Sequence, residues 1–184
     1  MMLGPYYENV ILPDNIFDLL KAYYHDVYGS QQQINPTIVQ FGRLRLGSDI
    51  YGATISPRYE NRSFIQAKFL GQTDNTVDIY PGKVQFFFQH VAMVNNRPKT
   101  HHLAYVRWYQ PHKTKRFDFA LQNEQQLCAA EIWSQTFYPM RRDCIIPVQM
   151  ILSRFIPYSM NLMSRNNRQY NVLVVIPINK RFHI

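Results

Sequence analysis

Two runs, GKVQFFFQHVAMV (82–94) and HHLAYVRWY (101–109), flank the polar segment NNRPKT, and both alternate apolar with other side chains at every second position. That period belongs to strands whose side chains point to opposite faces in turn, and two such runs around a turn-rich segment predict an antiparallel hairpin. Val84, Phe86, Phe88, His90, Ala92 and Val94 share a face in the first run, and His102, Ala104, Val106 and Trp108 share one in the second. Turning both faces to the core pairs Val94 with His102 and His90 with Val106. It places Trp108, Phe86 and Phe88 in the interior and leaves His101, Leu103, Tyr105, Arg107 and Tyr109 on the outside. A hairpin alone is at best marginally stable in water, so the rest of the chain must continue the sheet.

The rest reads that way. From Ile38 onward, β-branched and aromatic residues are interrupted by turn residues every 8 to 15 positions, a spacing that predicts many short strands in a closed or nearly closed sheet. Beside the hairpin, the segments Ile38–Leu46, Ile50–Ile55, Phe64–Leu70, Phe117–Leu121 and Asn171–Ile178 are strand candidates. Ahead of them, LPDNIFDLLKAYYHDVYG repeats apolar residues at helical spacing (Ile16, Leu19, Leu20, Tyr23, Tyr24, Val27) after a Pro-Asp start and before Gly29. This predicts an amphipathic helix with acids at its positive end and a left-handed glycine cap. EQQLCAAEIW and VQMILSRF have the length and Leu, Met and Ala content of short helices. The expected molecule is mainly β: a distorted β-barrel over 38–184, with residues 1–37 as a helical extension packed on it and one or two further short helices.

Charge narrows the function classes. The 184-residue chain has a formal net charge of +8, a balance that favours polyanionic partners. No acid occurs from Ile79 to Phe117, where Lys83, Arg97, Lys99, Arg107, Lys113, Lys115 and Arg116 fall, and none follows Asp143. The two cysteines, Cys128 and Cys144, have neither disulfide-framework nor zinc-ligand spacing and read as free, buried thiols. His90 and His102 would lie about 13 Å apart at about 3.3 Å per residue, too far to share an ion. No GxSxG, HExxH or GxxxxGK[ST] is present, and the acids in GQTDNTVD suit a hairpin loop. No apolar run reaches the roughly 20 residues that cross a bilayer, and the first ten residues lack the regions of a signal peptide. The expectation is an intracellular, non-catalytic protein without metal, cofactor, membrane or small-molecule substrate.

Candidate binding residues cluster in HHLAYVRWYQPHKTKRF. Tyr105, Arg107 and Tyr109 interleave aromatic and cationic character on the outer hairpin face, and Lys113, Lys115 and Arg116 follow in a basic loop. Such a pattern stacks on bases, lines a peptide edge or encloses a methylated lysine; alternatively the aromatics brace the sheet beneath the N-terminal helix. Arg141 and Arg142 in YPMRRDC and Lys180 and Arg181 near the end of the chain are further phosphate-gripping candidates.

The succession AYVRWYQP, EIWS, DCIIPVQMILSRFIP and YNVLVVIP resembles the core of a bromo-adjacent homology (BAH) domain, the β-barrel module of chromatin proteins. Arg107, Trp108, Tyr109 and Pro111 stand where that family has an Arg-Trp-aromatic-Arg-Pro-like motif, with Gln110 in place of its basic residue. Glu131, Ile132, Trp133 and Ser134 follow as its acid-led segment, and Pro147, Val148 and Ile151 as its Pro-Val-x-x-Ile element. The resemblance spans residues 38 to 180. It implies a nuclear interaction module for DNA or the nucleosome, with a histone tail or a partner protein as other ligands, and a structural role for Glu131 tied to backbone donors or to Arg107. No methyl-lysine cage maps onto this sequence. The segments IYGATISPRYENRSFIQAKF, FYPMRRDCIIPVQMILSRFIP and VIPINKRFHI also resemble uncharacterised proteins of mucoromycete fungi with an implied mobile-element origin.

Overall fold

A computed structural model describes residues 1–29, 34–70, 77–94, 97–112, 131–163 and 169–178. The expected strand Phe117–Leu121, the loop residues 71–76, Cys128 and the basic residues Lys113, Lys115, Arg116, Lys180 and Arg181 lie outside them. The elements are β1 (Met2–Ile11), α1 (Asp14–Tyr28), β2 (Thr37–Leu46), β3 (Asp49–Gly52), β4 (Phe64–Leu70), β5 (Val77–Val94), β6 (Arg97–Pro111), β7 (Glu131–Phe137), β8 (Ile145–Pro147), β9 (Ile151–Met163) and β10 (Gln169–Pro177), with 3-10 turns at Pro57–Arg62, Arg142–Cys144 and Val148–Met150. The fold is mainly β. The chain forms two compact units: Met1–Ser63, Lys83–Arg107 and Pro139–Ile151 make the first, and Phe64–Gly82, Trp108–Tyr138 and Leu152–Ile184 the second.

In the first unit the strand order is β1-β2-β5-β6-β8, with β3 also paired to β2. β1 runs antiparallel to β2 from Met2↔Leu44 to Ile11↔Thr37, although the sequence gives little strand signal there. Its register slips between Tyr7 and Val10, where Asn9 takes a positive φ of 53°; asparagine tolerates that conformation, and the slip is a bulge. α1 forms as its periodicity predicts. Asp14 sits in its first turn, and Gly29, at φ 69°, caps it by donating its N–H to the His25 carbonyl. Its buried residues Leu20, Tyr23 and Tyr24 join a core that includes Phe87, Phe88 and Ile146.

The β5–β6 hairpin has a different register from the one its alternation suggests. β5 ends at Val94 and β6 begins at Arg97, so two residues separate the strands instead of six. The Gln89 amide meets the His102 ring at 2.9 Å, and the Phe86 ring meets that of Tyr105, centroids 5.3 Å apart. Even positions of β5 therefore share a face with odd positions of β6. These neighbours shift the pairing by five residues from Val94 opposite His102, and because that number is odd it exchanges the faces of β6: His102, expected inside, is exposed, while Leu103 and Tyr105, expected outside, are buried. Ala104 and Val106 are buried as well, so this stretch is covered on both sides and alternation could not tell its faces apart.

The second unit orders its strands β5-β4-β9-β10-β7-β6. β9 and β10 pair without interruption from Met163↔Gln169 to Phe155↔Pro177, and β7 pairs with β10 from Glu131↔Val175 to Ser134↔Val172. Tyr109, Phe155, Leu173 and Val175 form its core, with Phe64, Trp133 and Phe137 packed against it. VQMILSRF, expected as a helix, is a three-residue 3-10 turn that enters β9, and the described end of EQQLCAAEIW begins β7. Long-range pairing with β10 overrides the weak helical preference of both segments.

One glycine position is fixed by contact. A Cβ at Gly52 would lie 1.9 Å from the Tyr59 carbonyl oxygen, because the 3-10 turn Pro57–Arg62 rests directly on β3. Gly52→Ala is therefore expected to cost about 1–3 kcal/mol through forced backbone displacement. Urea unfolding of the variant measures this, and a midpoint equal to that of the parent would contradict the close approach.

Candidate nucleic-acid interface

Two cationic residues of the first unit, Arg97 and Lys99, stand at the start of β6, and Lys99 lies beside the last turn of α1. Arg97 and Lys99 are exposed, and among the described residues no carboxylate lies within ion-pair range of either. An open groove of about 500 Å³ is lined by Val94, Arg97, Pro98 and Lys99. The Lys99 ammonium lies 5.6 Å from the centre of the Tyr28 ring, and the Tyr28 hydroxyl meets His101 Nε2 at 3.2 Å. Further back along α1, the Arg142 guanidinium stands over the Tyr23 ring at 5.3 Å and forms an ion pair with Asp26 at 2.7 Å. Arg142 is thus engaged with the helix, while its neighbour Arg141 is exposed.

Beneath this surface lies a polar network buried in the core. His90, 1% exposed, has Nε2 3.0 Å from the Asn35 carbonyl oxygen and Nδ1 2.9 Å from the Tyr24 hydroxyl. A carbonyl only accepts, so Nε2 carries the proton and Nδ1 accepts from the phenol; the ring is neutral with a fixed tautomer. Burial pushes the His90 pKa down and that of Tyr24 up. His101 is also shifted down, first by burial and then by Lys99, His90 and His102. His90 is a satisfied core histidine, and the hairpin face carrying it and His101 is braced by α1, since the Tyr24 ring contacts both imidazoles.

The residues singled out by sequence fall into three groups. Tyr105 and Tyr109, expected on an outer face, are each 6% exposed, so neither ring offers a stacking surface. The Tyr105 hydroxyl donates to the Met140 sulfur at 2.9 Å, and its pKa is raised by burial and drawn down by Arg107, to which it is hydrogen-bonded. Tyr109 packs at a tilt against Phe137 with centroids 4.5 Å apart, and burial pushes its pKa up to about 12. Arg107 is half-buried, Arg141 is exposed and Arg142 is tied to α1; Lys113, Lys115, Arg116, Lys180 and Arg181 are outside the described residues. Glu131 has a structural contact, though to neither expected partner: the Trp133 indole N–H donates to its Oε2 at 2.9 Å. Cys144 is a buried free thiol whose pKa burial raises.

Arg97 and Lys99 fall in the acid-free basic stretch but are not singled out by sequence, because they stand inside the expected turn NNRPKT. The cue that could have found them was the dipeptide Asn95-Asn96, which suits a two-residue hairpin connection and places the next residues at a strand start. In comparisons with known proteins, no family model, no curated protein and no solved structure matches the chain.

Proposed function

We propose that this protein is a non-catalytic interaction module of BAH-like, barrel type that binds nucleic acid, DNA or the nucleosome first, through a basic surface, and acts in the nucleus. The observation that carries this reading is the exposed Arg97–Lys99 pair at the mouth of an open groove, without carboxylate partners among the described residues. Cations without a carboxylate partner among the described residues are positioned to neutralise phosphate, and an aromatic ring under Lys99 holds that chain in place. Arg141, Lys113, Lys115, Arg116, Lys180 and Arg181 are further phosphate-contact candidates in this proposal by their charge alone, and the order of the RWY, EIWS and PVQMI segments supports the chromatin assignment.

The test is a salt titration of duplex DNA binding. Each phosphate contact contributes about −0.9 to the slope of log affinity against log salt, so an Arg97→Ala, Lys99→Ala double variant is expected to have a slope shallower by about two units. Equal slopes would remove the groove from the interface. A protein-protein scaffold is the second reading, favoured by Leu152, Ile156 and Tyr158, which are exposed on one face of β9. Absence of DNA binding at low salt, with self-association or partner capture abolished by Ile156→Glu, would select it.

A further inference from the structure

A second cationic feature of the first unit is built more tightly than the groove. Arg43 lies in β2 opposite Gly52 of β3, and the missing side chain at Gly52 lets the Pro57–Arg62 turn settle onto the strand, which fixes Tyr59. The Arg43 guanidinium carbon is 4.6 Å from the centre of the Tyr59 ring, and its Nε donates to the Gly4 carbonyl. Arg62 approaches the same ring at 5.7 Å. Glu60, the acid within that turn, is turned to Lys83 at 2.8 Å, and among the described residues no carboxylate pairs with Arg43 or Arg62. Arg45, further along β2, and Arg58, on the turn itself, are exposed.

Two guanidinium groups against one ring repel each other, and the ring quadrupole offsets only part of that repulsion. An oxyanion between or beside them would remove the repulsion and use donors already oriented: Arg43 spends Nε on a backbone carbonyl, leaving its terminal nitrogens for a bidentate contact. We propose that Arg43, Tyr59 and Arg62 form a phosphate-binding site, for a phosphate group carried by a small molecule or by a nucleic-acid backbone. Tyr59 is a positioning residue that holds both guanidinium planes, and Arg58 and Arg45 add to the local potential. The site shares no residue with the Arg97–Lys99 groove and does not rest on it.

The side-chain Nε–H resonances of Arg43 and Arg62 report binding directly in the full chain. Titration with inorganic phosphate, at ionic strength held constant with chloride, and separately with a short DNA duplex is expected to move both resonances along saturable curves in at least one series. Saturation by inorganic phosphate alone identifies a small phosphate ligand, and saturation by the duplex identifies the nucleic-acid backbone. Arg62→Gln, at an exposed position, is expected to raise the dissociation constant about tenfold, the loss of one charge-assisted contact. The Arg97→Ala, Lys99→Ala variant should leave the inorganic phosphate curve unchanged, so that failure of the groove and failure of this site are told apart. No saturable shift in either series, or an equal response to added chloride, would overturn the proposal.

Discussion

Replacing Trp108 with Ala is expected to cost about 3–5 kcal/mol, enough to unfold a marginally stable domain. The ring is 3% exposed and meets the Phe69 ring edge-on, centroids 5.1 Å apart, so its removal forfeits both apolar burial and a specific aromatic contact and leaves a large void. The backbone around it is also fixed, since the Trp108 carbonyl accepts from the Tyr138 N–H at 2.8 Å, which limits collapse into the space. Chemical denaturation of parent and variant gives the difference, and a loss below about 1 kcal/mol would show that the site repacks or that the ring lies outside the core.

Tyr24→Ala should produce a loss of similar size, about 3–5 kcal/mol, by removing a buried ring that touches Tyr23, Tyr28, His90 and His101. Tyr24→Phe separates the contributions: it keeps the ring and leaves the buried His90 Nδ1 without its donor, at about 1–3 kcal/mol. The same network makes stability depend on pH. Burial lowers the folded-state pKa of His90 and of His101 below the ordinary 6.5. The unfolded chain then takes up protons that the folded chain refuses as pH falls past about 6.5. Stability is full above that value and is lost as pH drops from there toward the folded-state pKa values. Denaturation midpoints measured between pH 5 and pH 8 should decline on the acid side, and a flat profile would contradict burial of neutral imidazoles.

Much of the architecture was legible because some segments carry their own punctuation. α1 has an acid in its first turn and a glycine stop, and β4 runs from Phe64 to Leu70, as its composition indicates. What was not legible depended on partners distant in the chain. Alternation in β6 distinguishes an inner from an outer face only when one face is wet; here α1 and the rest of the core cover both, and a connection shorter than the expected six residues moved the pairing by an odd number of positions. VQMILSRF looks helical in isolation, but its residues from Ile151 on open β9, whose Phe155 and Ile156 lie opposite Pro177 and Ile176 of β10. β1 combines Gly4, Pro5 and Asn9, residues that disfavour strands, and owes its strand form to pairing with β2. At the candidate sites, Arg141 and Arg142 were recognisable as charges, but the ion pair of Arg142 with Asp26 was not. The Arg43–Tyr59–Arg62 arrangement was invisible for another reason: it depends on the close approach of the Pro57–Arg62 turn to Gly52, which determines where the Tyr59 ring sits.

Two of the borders between the units fall between Gly82 and Lys83 and between Arg107 and Trp108, inside β5 and β6. During synthesis this imposes an order of completion. The first unit needs Pro139–Ile151 and so cannot close until most of the chain has left the ribosome, whereas α1 can form early. Until then β2, β5 and β6 wait with apolar faces uncovered and strand edges open, a state prone to pairing with other chains. Non-local closure of this kind slows folding, and no single cut in the chain releases either unit intact. Yield of folded protein should therefore respond more to chaperone supply and growth temperature than native-state stability alone would suggest, and fragments chosen at these borders are poor substitutes for the full chain in any binding assay.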